Sequence, residues 1–376
     1  MQIGLYIHIP FCASKCYYCD FLSFRDNNLQ ESYIDAMISE MENASKELKF
    51  DTTVKSIFIG GGTPTVLPTF LLDKLMASIV RYFKIERNVE WTIEANPGTI
   101  DIGKINILKK YPINRISLGL QTTHSHLLKT IGRIHSFSDW KKSIELIQKN
   151  TEWDINTDLM FSLPGQTLKE FKDTLETVAS YNLSHISIYS LIVEEGTKIY
   201  DWIEEGKLSM PNEELDRQMY YCAKEYLSDQ GYIQYEISNW SKPNKESKHN
   251  IVYWKMENYL GIGLGAHSFM ENRRYYNETN KTKYISANGN LNEIRIEEEK
   301  VTSLIAMQEY MFLGLRMIEG ISISEFEKNY NISIWNQYGN QLRKWLEYNV
   351  LIQEDDRLYL SPYGLDVCNE VFSSFL

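Results

Sequence analysis

A chain of 376 residues, 43% hydrophobic and 24% charged, carries enough apolar material for a real core and enough length for one large and one small domain, which excludes an intrinsically disordered protein. Its net charge of −11 sets 50 acidic against 39 basic side chains and excludes a general nucleic-acid binder, since phosphate contacts need clustered Lys and Arg. No apolar run reaches the roughly 18 residues of a membrane span, and the N-terminus has no basic, apolar and small-residue leader pattern, so a cytoplasmic protein is expected.

The first strand-like run, IGLYIHI at 3–9, leads into PFCASKCYYCDF, where Cys12, Cys16 and Cys19 stand at C-x3-C-x2-C spacing. Structural zinc sites and common iron–sulfur clusters take four protein ligands, and no fourth Cys follows here. Three thiolates suit a [4Fe–4S] cluster with one open iron better than they suit zinc. His8, just upstream, is read as packing or hydrogen bonding beside the site. In a reducing compartment clustered cysteines are ligands or catalytic thiols, not disulfides. Cys222 and Cys368 stand far away and read as small buried hydrophobes.

Five further β-branched runs follow at 54–59, 89–95, 115–120, 154–161 and 185–191, alternating with helical stretches near 29–48, 68–83, 101–110, 138–149 and 167–180. Such a βα alternation predicts a parallel sheet. The runs end in GGGTPT (60–65), EANPG (94–98), GLQT (119–122), DLMFSLPGQT (158–167) and LIVEEGT (191–197). Chemistry spread over all the carboxyl ends favours a barrel, whose mouth collects them, over a doubly wound sheet with one switch point. The glycines at 60–62 are expected to let the backbone approach a ligand.

Downstream, HNIVYW carries His249, Tyr253 and Trp254, and YLGIGLGAHSF places His267 at a strand end. The polar, Asn-rich stretch 277–290 reads as a linker. Past residue 295 the pattern predicts one long helix stopped at Gly320, two more helices and a strand–turn–strand: a winged-helix-like α+β domain. With 5 basic against 10 acidic residues in 301–376, this domain has the wrong sign for DNA and reads as a cover over the barrel mouth or a protein-docking element. The expected domains are 1–235, a barrel; 236–294, its extension and linker; and 295–376.

The cysteine loop, with Tyr18 before its last Cys, resembles the radical S-adenosylmethionine (SAM) superfamily. Within it, the ordered set YIHIPFC, GGGTPT, EANPG, SLGLQ, IGRIH and DLMFSLPGQT resembles the oxygen-independent coproporphyrinogen III oxidase family over nearly the whole chain. The resemblance implies an α/β fold, a partial TIM-type (β/α)6 radical SAM barrel with a C-terminal winged-helix-like domain. It implies a [4Fe–4S] cluster on Cys12, Cys16 and Cys19 whose open iron is chelated by SAM, and one-electron cleavage of the SAM C5′–S bond. It also implies SAM contacts at Tyr6, Gly61, Gly62, Thr63, Glu94, Gln121, Arg133 and Asp158. Read from the residues alone, Glu94 and Asp158 are helix caps and Arg133 a surface ion pair.

The chain departs from the oxidases in two places: Phe21 stands where they carry a further Cys, and it lacks their extension ahead of the first strand. Both departures match the shorter heme-chaperone relatives, in which H-N-x-x-Y-W goes with heme. By that resemblance His249 is an axial ligand, Tyr253 and Trp254 lie against the macrocycle, and His267 is a weaker contact; from the residues alone His249, Tyr253 and Trp254 belong to the core. The expected cofactors are the [4Fe–4S] cluster, SAM and heme, and the expected partners are heme and apo-haemoproteins at the inner membrane face. The expected function is heme chaperoning, the alternative radical decarboxylation of the propionates of coproporphyrinogen III.

Overall fold

The computed structural model describes residues 1–26 and 28–376, with the backbone alone over 297–299. Six parallel strands form its centre: β1 (Gln2–Ile9), β2 (Thr53–Gly61), β3 (Ile85–Ala95), β4 (Arg115–Gln121), β5 (Asp154–Phe161) and β6 (His185–Ser190), side by side in chain order. Between them run α1 (Gln30–Glu47), α2 (Thr69–Tyr82), α3 (Ile102–Leu108), α4 (Ser125–Thr130), α5 (Phe137–Asn150) and α6 (Leu168–Ala179). Capping boxes start α5, through Ser136 and Asp139, and α6, through Thr167 and Glu170. Along β1 the residues alternate: Ile3, Leu5, Ile7 and Ile9 are wholly buried, while Gly4 and Tyr6 turn toward Ser56 and Phe58 on β2.

The helices α7 (Lys198–Glu204) and α8 (Glu213–Asp229) follow β6, and the strands β7 (Ile233–Glu236) and β8 (Asn239–Ser241) extend the sheet, β8 antiparallel to β6. The chain then crosses through α9 (Lys248–Trp254) to the opposite edge. There β9 (Tyr259–Ile262) pairs parallel with β1, and β10 (His267–Met270), β11 (Arg273–Asn277) and β12 (Arg295–Lys300) complete a sheet of twelve strands. Because the sheet ends in β12 on one side and β7 on the other, the barrel is partial.

The segment 277–290, read as a linker, is instead packed. It contains the whole of α10 (Lys281–Ala287) and is followed by α11 (Leu291–Ile294). Tyr284 is fully buried and donates to the Glu40 carboxylate of α1, which also takes Asn277 Nδ2 at 2.6 Å. A second hydrophobic core lies between Met307 and Phe375. It gathers α12 (Ser303–Gly314), β13 (Ile321–Ser322), α13 (Ile323–Tyr330), α14 (Ile334–Glu347), β14 (Leu351–Glu354), β15 (Arg357–Leu360), α15 (Pro362–Asp366) and α16 (Cys368–Ser373). Its antiparallel order β13-β15-β14 gives the small wing. The helix α12 ends at Gly314, ahead of the expected Gly320. Gly320 has φ +65°, and a Cβ there would sit 2.0 Å from Leu358 O, so it serves the close approach to β15.

Candidate functional site

The cysteine loop leaves β1 and is stitched down by backbone hydrogen bonds. Phe24 N donates to Pro10 O at 2.7 Å and Cys12 N to Phe24 O at 2.9 Å, closing the loop on itself. Gly62 N to Ile9 O (2.8 Å) and Thr63 N to Phe11 O (2.7 Å) bind its start to the end of β2. At each of the glycines 60–62 an added Cβ would meet neighbouring protein. A Cβ at Gly62 would lie 2.6 Å from Phe11 O, one at Gly61 (φ +108°) 2.6 Å from the His8 ring, and one at Gly60 2.8 Å from the Glu94 carboxylate. Farther along, Tyr17 bonds through its backbone to Ile131 and Ile199, and its ring meets Trp202 edge-on at 5.0 Å.

Cys12 is buried, Cys16 and Cys19 half-buried, and all three are free thiols. A chain of polar contacts spans them: Thr63 Oγ1 lies 3.8 Å from Cys12 Sγ and accepts from Asn96 Nδ2 at 2.7 Å. Asn96 Oδ1 in turn accepts from Arg133 Nη2 at 2.6 Å, and Arg133 Nη1 donates to Cys16 Sγ at 3.4 Å. Arg133 also reaches Gly119 O (2.7 Å), is half-buried and has no carboxylate within ion-pair distance among the described residues, so it is a member of this network and not a surface ion pair. Gln121, at φ +72° on a bulge ending β4, brings its Nε2 to the same place: a Cβ at Gly119 would be 3.0 Å from it and from Arg133 Nη2. Asn96 escaped the sequence reading, although it stands within the EANPG motif at a strand end.

Below the loop the barrel interior is polar. His8 Nε2–H donates to Leu22 O at 2.9 Å, which leaves Nδ1 to accept from Tyr6 OH at 2.9 Å. Burial pushes His8 down, so the ring is neutral. Glu94 accepts from Gly61 N–H at 3.2 Å, and burial together with the charge of Asp158 pushes its carboxyl up to about 8. Asp158 accepts from Asn156 Nδ2 (2.8 Å) and Ser117 Oγ (3.1 Å), with burial pushing it up as well. Behind it, Tyr235 OH donates to His185 Nε2 at 2.9 Å and His185 Nδ1–H to Asn156 Oδ1 at 2.6 Å. Neither acid caps a helix. Three thiols in one loop with a guanidinium on one of them fit an iron–sulfur cluster, and two acids facing each other below it fit a cationic sulfonium cofactor.

The HNIVYW segment forms α9, which seals the far end of the barrel. Its first amides are held by Glu90: Lys248 N and His249 N each donate to the carboxylate at 3.0 Å. His249 is 1% exposed, with Nδ1 at 3.0 Å from Ser56 Oγ and Nε2 at 2.9 Å from Tyr253 OH, and its ring stacks on Phe58. Burial pushes it down to about 3, so it is neutral and both nitrogens are engaged. Tyr253 packs edge-on against Tyr259 at 4.7 Å, and the Arg316 guanidinium lies 4.7 Å from the Trp254 ring. His267 is exposed and stacks on Tyr276.

Comparison with known proteins agrees with this architecture. The model of the Radical SAM superfamily matches residues 6–178, and that of the HemN C-terminal domain matches 301–367. Heme chaperone HemW of Bacillus subtilis is 38% identical over 373 residues, covering 99% of this chain and 98% of its own. Heme chaperone HemW of Lactococcus lactis is 37% identical over 372 residues, covering 99% and 96%. The coproporphyrinogen III oxidase (HemN) of Escherichia coli, at 18% identity, superposes with a TM-score of 0.86 over 100% of this chain and 90% of its own, which is a likeness of fold. No helix among the described residues is long and apolar enough to cross a membrane. With the cysteine loop, the partial barrel, the small C-terminal wing and this identity over the full length, the chain belongs to the heme chaperone HemW family of radical SAM proteins.

Proposed function

We propose that this chain is a heme chaperone that carries a [4Fe–4S] cluster on Cys12, Cys16 and Cys19, binds SAM, and hands heme to apo-haemoproteins at the membrane face. The observation that carries the reading is the pairing of a stitched three-thiol loop with family identity along the whole chain. SAM on such a cluster supplies one-electron cleavage of its C5′–S bond. Within this chain, Arg133 and Asn96 fix the loop, Glu94 and Asp158 offer acceptors to the polar end of SAM, and Gln121 faces the same space. Tyr6, Gly61, Gly62 and Thr63 act here by shaping the loop and its support.

Heme is the cargo. His249 can offer iron a nitrogen only once α9 has lifted from the barrel and a hydrogen bond to Ser56 or Tyr253 has broken; the exposed His267 needs no such movement. We assign the ligand to His249 in this opened state, with Tyr253 and Trp254 freed to cover the macrocycle. The test is a hemin titration of anaerobically reconstituted protein. His249→Ala is expected to lose or shift the Soret band while keeping its iron and sulfide, and His267→Ala to bind as wild type. The reverse pattern would move the ligand to His267. In parallel, coproporphyrinogen III, SAM and reductant are supplied: the chaperone reading expects no decarboxylated product, and turnover at enzymic rates would establish the oxidase instead.

A further inference from the structure

A cavity of about 190 Å³ lies inside the barrel, beneath Glu94 and Asp158 and above the Ser247 and Asn250 end of α9. Its wall holds a cation that pairs with no carboxylate among the described residues. Arg115, the first residue of β4, is 3% exposed, and its Nη1 donates to Lys245 O at 2.8 Å. Its Nη2 is buried and has no hydrogen-bond partner. Beside it on β3, in direct register, stands Thr92, 1% exposed, whose Oγ1 is also buried and unpartnered. Neighbouring strands lie about 4.8 Å apart, so the two orphaned groups face the same space.

The nearby acids do not neutralise Arg115. Asp154, its register partner on β5, is committed to Lys245 at 2.7 Å and to Ser184 at 2.9 Å. Glu90 is committed to the α9 amides. Glu94 and Asp158 line the same cavity, and burial pushes both toward the protonated form. His185 on β6 is kept neutral by burial and by the charge of Arg115 itself. A buried charge with one edge unbonded is costly unless something completes it.

We propose that this cavity is a binding site for a small carboxylate, held by Arg115 Nη2 and Thr92 Oγ1. A guanidinium edge with a hydroxyl beside it offers two adjacent donors, the match for the two oxygens of a carboxylate. The volume corresponds to about six waters at roughly 30 Å³ each, room for an acid of a few carbons and far too little for a porphyrin. The Arg115 guanidinium brings one positive charge to the cavity, so a monoanion is the match. The site requires neither cluster nor heme, and its upper wall is shared with the two acids offered to SAM.

The test is thermal unfolding of the full chain with sodium acetate titrated against sodium chloride at constant ionic strength, with ¹³C-acetate line-broadening as a direct readout. Wild type is expected to show saturable stabilisation of a few degrees and saturable broadening. Thr92→Val, nearly isosteric, should weaken the apparent affinity about tenfold, and Arg115→Lys, which keeps the charge and loses the fork, should do likewise. Equal acetate responses in wild type and both variants, or no difference between acetate and chloride, would each overturn the proposal, the latter leaving water alone in the cavity.

Discussion

At Gly62 two backbones approach to a distance that no side chain permits, and the neighbour is the start of the cysteine loop. Gly62→Val should therefore displace Phe11 and Cys12, and anaerobic reconstitution should yield well under half the iron of wild type. If only SAM affinity suffers, Gly62 faces the ligand after all. Cys16→Ala should likewise abolish the intact cluster of about four irons, whereas Cys222→Ala and Cys368→Ala should retain it. Glu94 makes a separate prediction through its proton. Its carboxyl sits at about 8 in the folded chain against an ordinary 4.5, so between those values the folded chain holds a proton that the unfolded chain has released. Stability contributed by this group is thus present below about pH 4.5 and lost as pH rises toward 8. Glu94→Gln keeps an acceptor for Gly61 N–H and removes the charge. In cluster-free protein its melting temperature should exceed that of wild type by little near pH 5 and by more near pH 8.5, equivalent to roughly 2 kcal/mol once its partial exposure is allowed for. A pH-independent difference would mean Glu94 is ionised throughout.

Among the elements, the first amides of α9 are held by one side chain of β3. The Glu90 carboxylate takes the first two amides of the helix, and Ser247 caps the next turn through Asn250 N. Glu90→Ala leaves those donors unpaired and should cost about 1–3 kcal/mol. Amide exchange across 248–254 should accelerate, and heme uptake with it if opening of α9 limits loading; unchanged exchange would show that packing of His249 holds the helix by itself. The six central strands were legible in the sequence because parallel strands buried on both faces read as plain β-branched runs. The outer strands β7 to β11 were not: each has only three to five residues, and Tyr, Arg and Gly replace the β-branched signal. The helix α10 was hidden by its own caps. Asn280 accepts from Lys283 N at its start and Asn288 takes the left-handed conformation at its end, so the asparagines that suggested a linker are its boundaries. The thiols were legible from spacing, but the two bonds that close His249 into the barrel are tertiary, and no local pattern announces them.

For the whole molecule, the second core docks on the flank made by α8, β7 and the end of α9. Arg217 and Tyr221 of α8 both reach Asp366, at 3.3 and 2.5 Å. Backbone bonds join Ile237 N to Arg316 O (3.2 Å) and Ile318 N to Tyr235 O (3.0 Å), and Lys255 pairs with Glu319 at 3.2 Å. The C-terminal unit therefore grips the same helix that holds His249. Asp366→Ala removes the shared acceptor of two side chains, and limited proteolysis should release a C-terminal fragment several-fold faster while cluster content stays at the wild-type level. If release is no faster, the backbone bonds alone hold the units together.

The closure of the cysteine loop by Phe24 bears on how the protein matures. Pinning the ends of a loop of this length costs a few kcal/mol of chain entropy, and the hydrogen bonds between Phe24, Pro10 and Cys12 offset part of that cost. A loop closed in this way is expected to fold before the iron arrives, with metallation as a later step. Exposure to air should then strip the metal and spare the fold, leaving a vessel that can be filled again.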